Sequence, residues 1–199
     1  MTRPAFFART IVLAALYALL LSGCAHTPQP RYYVLSGPQG AANDSVHSGP
    51  RIGLGPITLP DYLDRPQIVT RASDSRLVLS NDHRWAEPLA ASFSRALLDQ
   101  LERALPTRAI VLHPWRDSLN IARQVQIEVT RFDRSADGAF RLSARWSVTE
   151  PGKDDTTTRQ SDIDIPVNGK GDDYDALVSA ANSAVAALAA TIAAQLPAP

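Results

Sequence analysis

Two runs of apolar–polar alternation and two helical apolar stripes predict an α+β fold: an antiparallel or mixed sheet with two main helices packed on it. At 199 residues the chain suits one domain of ordinary size plus appendages. The alternating runs are Val125 to Phe132 and Phe140 to Val148, joined through Asp137-Gly138. They read as a hairpin with one face on a core and one in water. Thr156 to Pro166, where Ile163 and Ile165 alternate with Asp162 and Asp164, extends it to a three-stranded meander.

The first residues carry an export signal. Arg3 and Arg9 precede an apolar run from Ile11 to Leu21, long enough for a signal-peptide core and short of the roughly 20 residues a spanning helix needs. Leu21-Ser22-Gly23-Cys24 follows directly and resembles the lipobox of bacterial lipoproteins, in which the cysteine is lipidated and becomes the mature N-terminus. The competing reading is an ordinary leader with a chance cysteine, but Cys24 is the chain's single cysteine. It also excludes an internal disulfide framework. The expected organisation is a signal peptide at 1–23, a lipidated tether at 24–31 and one domain at 32–199, with a flexible loop at about 36–50. The covalent groups expected are a diacylglycerol and an N-acyl chain such as palmitate on Cys24, with no other cofactor and no metal. Ala25 after the cysteine, where a retention signal would place aspartate, favours the outer membrane. The whole chain has 20 basic and 20 acidic residues; losing Arg3 and Arg9 leaves 18 against 20. No basic patch points to nucleic acid.

In order, Tyr32 to Leu35 reads as a first strand, and Ser36 to Pro50 has little apolar to bury. Ile52, Leu54, Ile57 and Leu59 form a strand broken at Gly55-Pro56, which suggests a bulge or a sheet edge. Pro60-Asp61-Tyr62-Leu63-Asp64-Arg65-Pro66 is a loop with a proline at each end, and each ring fixes φ and biases the residue before it. Asp61, Tyr62, Asp64 and Arg65 make it a candidate partner or subunit interface. The alternative is a turn whose Tyr62 and Leu63 plug the core. Gln67 to Arg71 and Arg76 to Ser80 read as a hairpin.

Pro88 suits the first position of a helix whose stripe is Leu89, Phe93, Leu97, Leu101 and Leu105, ending before Pro106, with Trp85 folding onto that stripe. Ala109 to His113 reads as a buried strand. The last helix begins near Asp172-Asp173, with Tyr174, Val178, Ala181, Val185, Leu188 and Ile192 facing the sheet. Its back, including Ser183, Ala187, Ala190 and Ala194, is free of charge. Such a back suits a covered contact, with Ala187 and Ala190 as candidate interface positions, or a plain solvent face rich in alanine.

No nucleophile elbow, phosphate-cradling glycine loop or His-Glu-x-x-His is present. Asp61 and Asp64, three apart on a loop, read as turn residues more readily than as paired catalytic carboxylates, so no catalytic residue is assigned. The lipobox, Tyr32-Tyr33-Val34-Leu35, Leu59 to Val69, Arg84-Trp85-Ala86-Glu87-Pro88-Leu89 and the alanine-rich last helix, in that order, resemble the PqiC-type family of ABC-transport auxiliary lipoproteins. The resemblance implies a non-enzymatic lipoprotein on the periplasmic face of the outer membrane of a Gram-negative bacterium. It also implies docking to an MCE-domain (PqiB-like) protein that conducts phospholipid between membranes, with a homo-oligomeric ring as one form of assembly. A lipoprotein activator or scaffold of a periplasmic cell-wall enzyme has the same size and anchor, and is the alternative.

If Cys24 is the only attachment, Cys24→Ser yields a folded domain that leaves the membrane fraction on sedimentation in the absence of a partner. Retention of that variant on membranes would show a second anchor.

Overall fold

The computed structural model describes residues 29–37, 51–105, 109–116, 119–150, 152, 157–169 and 171–196. The predicted leader, Cys24, most of the tether and most of the 36–50 loop lie outside the described residues.

The strand that carries the sheet is β6, Ile121–Arg134, with 14 residues. Along one side it pairs in parallel with β2, Arg51–Thr58, and along the other antiparallel with β7, Ala139–Thr149. At its end Arg134 meets Thr70 of β3, Gln67–Ser73. Beyond β3 come β4, Arg76–Trp85, and the short β1, Arg31–Tyr33; beyond β2 comes β5, Ile110–Leu112; beyond β7 comes β8, Thr157–Pro166. The sheet is mixed: β1/β4, β2/β5, β2/β6 and β3/β6 are parallel, whereas β3/β4, β6/β7 and β7/β8 are antiparallel. The predicted meander is β6, β7 and β8.

Two helices lie on one face. Helix α1, Leu89–Ala104, buries Leu89, Phe93, Ala96, Leu97 and Leu101. Helix α2, Tyr174–Ala193, is N-capped by Asp173, whose side chain accepts from the Ala176 N–H at 2.9 Å. It packs against α1 and against β6, β7 and β8. Val178, Ala181, Val185, Leu188 and Ile192 are buried as the stripe predicts, and Tyr174 is half-buried. Leu177, Ala180, Ala184 and Ala189 are buried as well, so the covered arc is wider than one stripe. Small alanines allow α1 to approach without a gap.

Two local readings are corrected, at Pro88 and at β5, and the places of Trp85 and of the Gly55-Pro56 break are fixed. Pro88 is the N-cap of α1, one position before the expected one. Trp85 closes β4, its N–H donates to the Pro66 carbonyl at 2.6 Å, and its side chain is buried in the core cluster that holds Leu89 and Phe93. The strand predicted at 109–113 is the short β5, where only Ile110 is buried, because it lies outermost beside β2. β2 is interior, so of the two readings of Gly55-Pro56 the bulge holds: the register against β6 shifts between Leu54 and Ile57. A Cβ at Gly53 would lie 2.6 Å from the Trp115 ring, which explains a glycine at that buried strand position.

Leu188 is fully buried between helix and sheet. Leu188→Ala is expected to lower unfolding free energy by about 2–5 kcal/mol with the fold retained, read from denaturant midpoints.

Candidate functional site

The proline-bounded loop contains a single 3₁₀ turn, Asp61–Leu63. It is closed by backbone bonds, Leu63 N–H to the Pro60 carbonyl at 2.9 Å and Asp64 N–H to the Asp61 carbonyl at 3.0 Å. Leu63 is buried in the core, while Asp61, Asp64 and Arg65 are exposed. The core-plug reading therefore holds for Leu63. Leu63 plugs the core, and the three charged side chains project from a stiff frame.

Tyr62 is half-buried and works inward. Its hydroxyl donates to Asp133 Oδ2 at 3.1 Å. Asp133, near the end of β6, is fully buried and also receives Arg71 Nη2 on Oδ2 at 3.0 Å and Arg131 Nε on Oδ1 at 3.1 Å. The Arg71 guanidinium lies 5.9 Å from the Tyr62 ring centroid, a cation–π separation. Burial, then the Asp133 charge, raises the Tyr62 hydroxyl above its ordinary pKa, so it stays a neutral donor. Arg131 also bonds Ser135. One carboxylate thus joins the loop, β3 and β6.

Asp133 reaches this position through a bulge. Val125, Ile127 and Val129 face the helices, and the register against β7 then shifts between Val129 and Arg131. The shift changes the phase of alternation, so Phe132 enters the core edge-on to Phe93 of α1, with ring centroids 5.4 Å apart. Asp133 consequently faces away from the helices. In the sequence Asp133 looks like one more polar position on a solvated face; the signal of the shift is the break in alternation at Thr130-Arg131, two polar residues in succession ahead of Phe132.

A second cluster missed in the sequence joins β1, β4 and the start of α2. The Tyr33 hydroxyl lies 2.8 Å from His83 Nδ1, and the His83 ring stacks on Tyr174 at 3.9 Å with 10° between planes. His113 meets Trp115 edge-on. Among the described residues no group of acids and histidines could hold a metal ion.

On the back of α2, Ser183, Ala190 and Ala194 are exposed and Ala187 is half-buried. Part of that back is covered by the chain itself: the Ser36 N–H donates to Asn182 Oδ1 at 3.1 Å, and the Leu35 N–H to Ser92 Oγ of α1 at 3.0 Å. Tyr62 is bonded to the sheet face opposite the helices, so the structure does not bring the loop and the α2 back onto one surface. Cys24 lies outside the described residues.

An α+β domain is the class these features define, with an interior held by packing, a buried ion cluster among the described residues, and charged loop residues projecting outward. The chain belongs to the ABC-type transport auxiliary lipoprotein component family, which it matches over residues 33–193. It is 29% identical over 146 residues to the intermembrane transport lipoprotein PqiC of Escherichia coli strain K12, covering 71% of this chain and 75% of PqiC. The PqiC of Shigella flexneri matches to the same extent, at 29% over 146 residues. Among solved structures, an uncharacterised protein superposes with a TM-score of 0.70 at 23% identity, covering 85% of this chain and 100% of that one. A Xanthomonas campestris protein superposes with a TM-score of 0.62 at 16% identity, covering 83% and 97%. These two share the fold.

Removing one member of a buried ion cluster leaves the others uncompensated. Asp133→Ala is expected to cost about 3 kcal/mol by chemical denaturation. Arg65→Ala, at an exposed position, is expected to stay within about 0.5 kcal/mol of the parent.

Proposed function

We propose that this chain is the outer-membrane lipoprotein of an intermembrane phospholipid transport system, held on the periplasmic face by acyl chains on Cys24. It docks an MCE-domain conduit protein reaching from the inner membrane, and it supports envelope integrity without catalysing a reaction. The observation that carries this reading is the family match across residues 33–193, supported by the 29% identity to a protein named for intermembrane transport.

Docking is assigned to Asp61, Asp64 and Arg65, with Tyr62 as the residue that holds their loop. A loop closed by its own backbone and tied to Asp133 loses little conformational freedom on binding, so less of the contact energy is spent on ordering it. The exposed charges supply register and specificity more than raw affinity. Ala187 and Ala190 are assigned to a neighbouring copy, since an uncharged helix face of small residues allows close approach. Ala190 is the more accessible of the two.

The test is pull-down from solubilised envelopes, read by mass spectrometry. Wild type is expected to recover an MCE-domain protein, and Arg65→Glu to weaken recovery about tenfold, or about 1.4 kcal/mol, with an unchanged melting temperature. Ala190→Lys is expected to shift the assembly to smaller species on size exclusion without unfolding the monomer. Recovery of a peptidoglycan synthase in place of the MCE protein would overturn the assignment in favour of cell-wall activation.

A further inference from the structure

Among the described residues, the large hydrophobic side chains left exposed are Tyr32 at 61%, Val34 at 46%, Val78 at 45% and Leu79 at 41%. All four lie on β1, just after it, or on its neighbour β4. Val78 and Leu79 are adjacent in a strand, where successive side chains point to opposite faces, so exposure of both marks a stretch uncovered on either side. The reason is visible in the pairing. β1 covers β4 only at His83, Arg84 and Trp85, and the outer edge of β4 from Arg76 to Asp82 has no strand beside it among the described residues. On its inner side β4 pairs with β3, which touches β6 at Thr70 alone. The β3–β4 hairpin thus runs on beyond β6 from Arg71 and Leu77 to its turn, with Val78 and Leu79 at the level where β3 meets β6 and Arg76 exposed at the turn.

The direction of β1 says what lies at that tip. β1 is parallel to β4, with Arg31 opposite His83. The chain therefore enters the fold from the hairpin-tip end. Val78 lies five residues before His83 on β4, about 17 Å along the strand at about 3.3 Å per residue. Cys24 lies seven residues before Arg31, so the tether spans at most about 24 Å. A lipidated Cys24 thus cannot lie further from the start of β1 than slightly beyond the reach of the hairpin itself.

We infer that the tip of the β3–β4 hairpin, through Val78, Leu79 and Arg76, rests in the headgroup layer of the membrane that holds Cys24. The inference rests on the reading of Cys24 as lipid-bearing. The chemistry fits a bilayer boundary: aliphatic side chains for the acyl border and an arginine for lipid phosphate. Arg31 and Arg76 are offset by Asp74 and Asp82, so the contact gains little from anionic lipid and depends on the tether to hold it close. The contact sets the domain's orientation on the membrane, which a single point of attachment does not do.

The test uses the full mature chain purified with its lipid, in vesicles of phosphatidylethanolamine and phosphatidylglycerol. A polarity-sensitive fluorophore is placed at Leu79→Cys, and at Thr158→Cys on the exposed β8 edge as control; circular dichroism confirms folding. Leu79 is expected to show a blue-shifted emission and several-fold stronger quenching by nitroxide-bearing lipids than Thr158. Hydrogen exchange of the Arg76–Leu79 amides is expected to slow on vesicles compared with detergent. Equal quenching at the two positions overturns the contact. So does a blue shift without quenching by nitroxide lipids, which would mean that a protein covers the arm. Intact mass reads the anchor separately: Cys24 without acyl chains overturns the anchor and, with it, the contact, whereas acylated Cys24 with an aqueous Leu79 overturns the contact alone.

Discussion

The half-turn change of phase in β6 between Val129 and Arg131 is the constraint on which the rest of the domain depends. β6 is the one strand that touches β2, β3 and β7, so its side-chain phase decides what each neighbour meets. Before the bulge its apolar positions feed the core beneath the helices. After it, Phe132 continues that core while Asp133 is turned to the other face. Without the shift, Arg131 and Asp133 would be directed at the phenyl rings of Phe93 and Phe140, which no buried charge tolerates unpaired.

Asp133 then organises the far face. A carboxylate with no exposure must be compensated, and Arg71 and Arg131 do so while remaining partly in water. Such a cluster is weak evidence for net stability, since desolvation opposes the attraction. Its effect is positional. The arginines come from β3 and β6 and the tyrosine from the proline-bounded loop, so one anion fixes three segments relative to each other. The charged residues of that loop project from a frame with little freedom left, which suits a docking element.

The helical face follows a different logic. α2 is apolar and long enough to cross a membrane by length and composition, yet half of its most apolar window is buried against α1 and the sheet. Its role in this fold is as a core helix. Its uncharged back is partly closed by the chain at Leu35 and Ser36, where polypeptide leaving β1 passes over both helices. The domain therefore presents the loop on one side of the sheet and the alanines on the other, with the hairpin arm held beside the loop through Arg71.

The sequence alone determined the fold class, the meander, both helices and the loop, because each rests on local periodicity or on proline geometry that tertiary contacts do not change. The stripe through Val178, Ala181, Val185, Leu188 and Ile192 needed only a period of 3.6. The alternation from Val125 to Val129 needed only a period of two. What tertiary structure decided was every feature that depends on a partner distant in the chain. β5 became an edge because of where β2 lies, and Trp85 belongs to β4 because Tyr33 and Pro66 meet it there. Tyr62 divides from Asp61 and Arg65 in role because Asp133, 71 residues further on, is turned towards it. That turn follows from a one-residue shift of register, which leaves the residue types unchanged and is set only when β6 and β7 pair.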